Sequence, residues 1–426
     1  MLSRGRGQKK ATSKRTLLIE LKSMAITTDD IETKEVPNFR LSETVFLAQH
    51  QQEHPGNEKL IGEILETIRK DSMGPYYHYL YYELKLPGFE WDQSLYDSLV
   101  AESSKHIAEI TAEIEKLDKE DESEMDILKK WTELGEYYAT IGDKTKAEST
   151  LLKTIELAPS TGSKIDLYLM ISRVGFFYND AVFVKTYLDK SNALIEKGGD
   201  WERRNRYKTY NGIYLMSIRN FAEASKLLND SLSTFTSTEL TKYQDVAKYA
   251  LVCGAIIFER PDLKHKLIEN PEILAINSTT DELLPIYNLI KSIYLTEYEK
   301  FFPALLETND KVLLTNKYLY AHANYYLREI RCRAYSQLLE SYRSLSLKSM
   351  AASFGVSVEF LDNDLCKFIT SKKLNCVIDR VGGIVQTSRS DSKNAQYHTL
   401  IKTGDALLTK LQKYGAAVRM SGAEKV

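Results

Sequence analysis

Along most of the chain apolar residues return every three or four positions, the spacing that puts them on one face of an α-helix. Leu60, Ile61, Ile64, Leu65 and Ile68 make one such stripe after Pro37. Ile107, Ile110, Ile114 and Leu117 make a narrower one, of a/d type, inside residues 101–130, which hold ten acids against five lysines. That combination predicts a solvated, acidic helix resting on a single neighbour. Five tyrosines, Tyr76, Tyr77, Tyr79, Tyr81 and Tyr82, follow Gly74-Pro75 and predict a helix-packing patch rather than a ligand cage.

From Trp131 the pattern becomes repetitive. Trp131, Leu134, Gly135 and Tyr138 fit the opening of a tetratricopeptide repeat, and Ala147, Leu151 and Pro159 take its later small, large and terminating positions. The aromatic residues wedge between paired helices, the small ones let two backbones approach, and proline ends the second helix. Gly175, with Phe176, Phe177 and Tyr178, comes one repeat later, and Gly212 one repeat after that. Ala224 and Leu228 follow Gly212 at the offsets at which Ala147 and Leu151 follow Gly135. The spacing of the three glycines is unequal, which predicts degenerate repeats stacked as a solenoid.

Beyond Pro303 a helix is predicted from Leu319 to Leu345, followed by a change of texture. Leu347, Met350, Ala351 and Phe354 share one face, Gly355 to Ser357 turns, and Val358, Leu361, Leu365 and Phe368 form a second stripe. Ser357 is placed to cap that second helix. Leu374, Cys376 and Ile378 then alternate, residues 380–383 turn, and Ile384 with Val385 starts a return strand. Two helices and a hairpin spell a winged helix. The tail adds a last helix: Tyr397, Leu400, Gly404, Leu407, Leu411, Tyr414 and Val418 advance by alternate threes and fours, and Leu408 broadens the seam. Such a stripe folds back on its own domain or joins helices of other chains, and the polar spacer Arg389 to Asn394 favours the second.

The predicted fold is therefore mainly α: an N-terminal extension (1–35), helices with an acidic coiled segment (36–130), a TPR-like solenoid (131–300), a winged-helix module (301–390) and a C-terminal assembly helix (391–426). Composition agrees, since 20 Gly and 9 Pro in 426 residues are too few for a turn-rich β fold. With 57 basic and 59 acidic residues there is no global field to gather nucleic acid or an anionic membrane. The longest strongly apolar run, Ala250 to Phe258, has nine residues, whereas a spanning helix needs about 20. The four cysteines match neither a disulfide framework nor zinc knuckles.

Charge is uneven locally. From Met1 to Lys22 the cations Arg4, Arg6, Lys9, Lys10, Lys14, Arg15 and Lys22 face only Glu20. Such a terminus is compatible with a mitochondrial address, but Met24-Ala-Ile-Thr-Thr-Asp-Asp reads as an ordinary start and residues 1–23 as a dispensable extension. Arg203, Arg204, Arg206 and Lys208 cluster after Gly198-Gly-Asp-Trp201. They form either a basic dock for an acidic partner or a helix start neutralised by its neighbours. Catalytic signals are lacking: there is no phosphate-binding glycine loop, no Gly-x-Ser-x-Gly and no His-x-His, and the pair His50 and His54 lacks the Glu of His-Glu-x-x-His.

Taken together, the repeat helices, the phrase Gly198 to Tyr210, Ser346 to Gly355, Leu374 to Val385 and Asn394 to Val418 resemble the PCI-domain subunits of the 26S proteasome lid. The likeness runs from about Val36 to the C-terminus, and the basic extension departs from it. It implies a non-catalytic, cofactor-free scaffold of a hetero-oligomer in cytoplasm and nucleus. Its wing strands, Cys376, Val377 and Ile378 with Ile384, Val385 and Gln386, would meet neighbouring PCI subunits. Tyr397, Leu400, Gly404, Leu407, Leu408, Leu411, Tyr414 and Val418 would enter a helical bundle, and the arm would reach the ATPase ring and the core particle, with no nucleic acid or membrane involved. A PCI scaffold of the COP9 signalosome or of a translation initiation factor has the same physical logic. A winged-helix nucleic-acid binder is the rival of another class, opposed by Glu359, Asp362, Asn363 and Asp364 against only Lys367.

Overall fold

The computed structural model describes residues 36–50, 57–119, 124–387 and 393–423. The basic extension, His54 and most of the polar spacer after Arg389 lie outside the described residues. The chain divides into two compact units between Ile330 and Arg331.

The first unit opens with helices α1 (Phe39–His50), α2 (Asn57–Lys70), α3 (Gly74–Tyr82) and the long α4 (Gln93–Lys119). Three helical hairpins follow: α5 (Glu124–Ile141) with α6 (Lys144–Leu157), α7 (Thr161–Phe177) with α8 (Ala181–Gly198), and α9 (Trp201–Ser217) with α10 (Phe221–Leu232). Beyond them lie α11 (Tyr243–Ile257), α12 (Pro271–Thr279), α13 (Leu284–Leu295) and α14 (Tyr298–Thr308). From α4 to α11 each helix packs on the next, the stacking of a TPR-like solenoid. Ile110 and Ile114 of α4 are buried against Leu134 of α5, as the a/d spacing predicts. Helix α11, which carries the Ala250 to Phe258 run, is core, with Val246, Ala250, Val252 and Cys253 inaccessible to solvent.

The hairpin turns reveal the true repeat register. Gly142, Asn179 and Arg219 each adopt a left-handed backbone, with φ of 78°, 56° and 68°. The residue after each donates its N–H to a carbonyl five positions back: Asp143 to Tyr138, Asp180 to Gly175 and Asn220 to Leu215, at 3.0, 3.0 and 2.8 Å. This is a Schellman-type helix end. Counted from these turns, the first and third hairpins place Gly135 with Leu151 and Gly212 with Leu228. A Cβ on Gly135 would lie 2.5 Å from Leu151 Cδ2, and one on Gly212 would lie 2.8 Å from Leu228 Cδ2. In the second hairpin the equivalent residues are Ser172 and Leu188, so the expected equivalence of Gly175 with Gly135 is corrected by one helical turn. Gly175 has its own reason. It faces Val184, which stands where the other repeats have Ala147 and Ala224, and a Cβ there would come within 2.7 Å of the valine Cγ2. A larger residue on one helix is offset by the loss of a side chain on the other.

The first helix is tied to this array. Ser42 Oγ of α1 donates to the carbonyl of Phe177 at the end of α7, at 3.1 Å. Lys317, beyond α14, turns its ammonium onto the same place, donating to Ser42 Oγ at 2.5 Å, Phe176 O at 3.0 Å and Phe177 O at 2.8 Å. A cation with three donors thus closes the carbonyl end of a helix, where the dipole favours positive charge. Burial pulls the Lys317 pKa down to about 7, a shift that the charge of Glu43 opposes.

The second unit contains the end of α15 (Ala323–Ser341), strand β1 (Ser344–Ser346), α16 (Leu347–Phe354), α17 (Val358–Thr370), β2 (Cys376–Asp379), β3 (Ile384–Thr387) and α18 (Lys393–Ala423). Ser346 caps α16 by accepting from Ser349 N at 3.1 Å, and Ser357 caps α17 by accepting from Phe360 N at 3.2 Å. Gly355 makes the turn between them with φ of 66°. Leu347, Met350, Phe354, Leu361, Leu365 and Phe368 are buried, as the two stripes predict, and the Tyr335 ring meets those of Phe354 and Phe368. The expectation of helix up to Leu345 is corrected: α15 stops at Ser341, and Ser344–Ser346 form a third strand. Its three residues are too few to show alternation, and only pairing with β3, Leu345 opposite Val385, gives them strand structure.

Candidate protein-assembly interface

The sheet is antiparallel in the order β1-β3-β2. The wing register sets Val377 opposite Gln386 and Ile378 opposite Val385. Because β3 lies in the middle, Ile384, Val385 and Gln386 already pair on both sides, and among the described residues the outer edges of β1 and β2 are left to accept another strand, β2 being the wing edge. Cys376 and Val385 point into the core at 4% and 0% exposure, whereas Val377 is 62% exposed. The turn adds an apolar residue that the strand pattern gave no reason to notice, Val381, which is fully exposed. Val358, expected in the second core stripe, is instead 38% exposed, because it sits in the first turn of α17 at the edge of that stripe, and Phe360 is 41% exposed. Phe360 and Val381 were readable only as apolar residues at positions that no core required.

Helix α17 is less acidic on its surface than its sequence suggests. Asp364, expected to be exposed, is buried, paired with Arg331 at 3.2 Å and accepting from Tyr335 at 3.3 Å. Asp362 is bridged by Arg380 of the wing turn at 2.9 Å. The outer surface of this helix and the wing thus mixes the apolar Val358, Phe360, Val377 and Val381 with charges of both signs, Glu359, Lys367, Asp379 and Arg380 among them.

Helix α18 has no buried residue among those whose exposure is described. Tyr397, Leu400, Leu407, Leu408, Leu411, Tyr414 and Val418 are between 57% and 72% exposed. A Cβ on Gly404 would meet nothing within 4 Å. Ile401 and Met420, exposed to 58% and 73%, flank the predicted seam. A contiguous row of large apolar side chains along three heptad-like steps marks an interaction surface.

The arginine cluster divides. Arg203 donates from Nε and Nη2 to Asp166 of α7 at 3.0 and 2.8 Å, and Gly162 leaves room for its guanidinium. Arg206 donates to Asp166 at 3.2 Å and, from Nε and Nη2, to Glu239 at 2.9 and 2.5 Å, while Tyr210 donates to the same Glu239 oxygen at 3.0 Å. These two arginines bind α9 to α7 and to the segment after α10. Arg204 is exposed and Lys208 half-buried, so any basic surface here rests on those two.

No helix among the described residues is long and apolar enough to cross a membrane, and no group of His, Cys, Asp or Glu among them has the arrangement of a metal site.

Residues 92–266 match the family model described as 26S proteasome subunit RPN7, residues 306–389 match the PCI domain, and residues 396–418, the heart of α18, match the RPN7/PSMD6 C-terminal helix. The 26S proteasome regulatory subunit RPN7 of Saccharomyces cerevisiae is 51% identical over 96% of this chain and 99% of its own length. The chain belongs to the RPN7 family of 26S proteasome regulatory subunits. The Schizosaccharomyces pombe member is 43% identical over 93% of this chain and 99% of its own. The COP9 signalosome complex subunit 1b of Drosophila melanogaster is more distant, at 23% identity over 75% of this chain and 62% of its own. The RPN7-family match thus covers the solenoid, the winged helix and the exposed terminal helix together.

Proposed function

We propose that this chain is a non-catalytic scaffold of the proteasome's regulatory lid, held in the complex by α18 and the wing. The observation that carries this reading is the exposed apolar row of α18, a surface suited to burial against other chains. Burying side chains of leucine size contributes about 1.5–3 kcal/mol each, so a few of them in a bundle supply a strong assembly signal. Other PCI subunits of the lid are the proposed partners at β2 and α18, and the solenoid is proposed to reach the ATPase ring and the core particle. The exposed apolar residues Val358, Phe360, Val377 and Val381 fit protein neighbours better than the phosphate backbone of nucleic acid, which is bound through Lys and Arg. No membrane contact is proposed, and residence in cytoplasm and nucleus follows the complex.

Affinity capture of the tagged full chain from native extract tests this. Proteasomal regulatory subunits, ATPases included, should co-purify in fixed stoichiometry. Recovery of deneddylase subunits without proteasomal ATPases would transfer the chain to the sister complex.

A further inference from the structure

The aromatic helix α3 has two faces, and only one belongs to the core. Tyr76, Tyr77 and Leu80 are buried, while His78, Tyr81 and Tyr82 face outward, the tyrosines at 37% and 52% exposure. The Trp91 ring lies 5.3 Å from those of both Tyr81 and Tyr82 and 5.2 Å from that of Tyr96, and His78 stacks on Tyr82 at 4.4 Å. A partly exposed surface patch of packed rings results. Around it, residues 83–97 hold four exposed carboxylates, Glu83, Glu90, Asp92 and Asp97, against one lysine, Lys85, with Arg69 of α2 within electrostatic range of Asp92. Aromatic faces framed by carboxylates fit guanidinium and ammonium groups.

We infer that this patch docks the chain's own basic segment, Arg4 to Lys22. The charge match is one argument, since that segment sets seven cations against one acid. The tether is the other. Val36, where the described chain begins, is buried in the cluster that includes Tyr178, and the Tyr178 ring lies 6.1 and 5.0 Å from those of Tyr76 and Tyr79 on the inner face of α3. Lys22 lies fourteen positions before Val36, and at about 3.3–3.6 Å per step that stretch reaches roughly 46–50 Å, several times the diameter of a helix. The spacer carries Asp29, Asp30, Glu32 and Glu35, so the charges complementary to the patch are concentrated in Arg4 to Lys22. A short tether holds the segment at millimolar effective concentration, so even a weak contact is occupied.

Limited trypsin digestion of the full chain, followed by mass spectrometry, reads occupancy as the rate of cleavage at Arg4 to Arg15. At low salt these sites should be cut about tenfold more slowly than in Tyr81→Ser with Tyr82→Ser, as a roughly 0.1 mM contact at millimolar effective concentration requires. Glu83→Lys with Glu90→Lys, which leaves the rings in place, should release the segment equally. Protection should vanish at about 0.5 M salt. Equal cleavage rates in all three chains would overturn the inference. So would protection that rises with protein concentration, which would make a second copy the occupant.

Discussion

A chain carrying Leu407→Asp and Leu411→Asp is expected to fold with an unchanged melting profile and to fail to enter the regulatory complex. The first half follows from exposure: both leucines are about 60% accessible in the free chain, at 59% and 61%. On a solvated helix an aspartate costs only a few tenths of a kcal/mol in propensity. The second half follows from what a helical bundle buries. Two leucines are lost from the seam, about 1.5–3 kcal/mol each, and two carboxylates must be desolvated in their place. The sum exceeds about 4 kcal/mol, so incorporation should fall by at least about a thousandfold. Co-sedimentation of the variant with the assembled complex checks it. Normal incorporation would show that α18 is a passive appendage.

Replacing Lys317 with methionine should destabilise the first unit in a pH-dependent way. The aliphatic stem is kept, but the carbonyls of Phe176 and Phe177 and the Ser42 hydroxyl lose their common donor. Ser42 still donates to Phe177 O and Asn179 N to Phe176 O, so each carbonyl keeps one donor and the lost hydrogen bonds cost about 1 kcal/mol each. The folded pKa, about 7, lies below the ordinary lysine value of about 10.4. Between those values the unfolded chain binds more protons than the native one, so raising the pH favours the native state. Below pH 7 the native protein carries the full cost of the buried charge. The variant escapes that cost, and its deficit against the parent should therefore grow with pH, by about 2–3 kcal/mol between pH 7 and pH 9. Urea denaturation of both chains at pH 6.5 and 9 measures it. A deficit that shrinks as pH rises would contradict the placement of the ammonium.

What could be read from sequence depended on how local the cause was. The first repeat was legible because Gly135 and Leu151 are local partners across one hairpin. The second was misaligned because its register is set by the backbone of Asn179, and Gly175 answers to Val184 rather than to the repeat pattern. The winged helix was legible from its stripes and from Ser357, but β1 depends on β3, a partner beyond two intervening helices and a strand. Asp364 looked exposed because helical spacing alone does not show that Arg331 and Tyr335 wait inside. Arg203 and Arg206 were undecided for the same reason, their counter-charges, Asp166 and Glu239, lying on other elements of the solenoid. Helix α18 was the opposite case, fully visible as a stripe because its apolar row stays exposed among the described residues.

The most direct test of this account is amide hydrogen exchange along α18 in the free chain and in the assembled complex. An unpartnered helix opens easily, whereas one packed in a bundle exchanges only when the bundle does. Peptides covering residues 396–418 should exchange rapidly in the free chain and slow by at least about a hundredfold on assembly, the reduction expected from about 3 kcal/mol of added local stability. Unchanged exchange of these peptides in the intact complex would contradict the claim that this helix holds the chain in place.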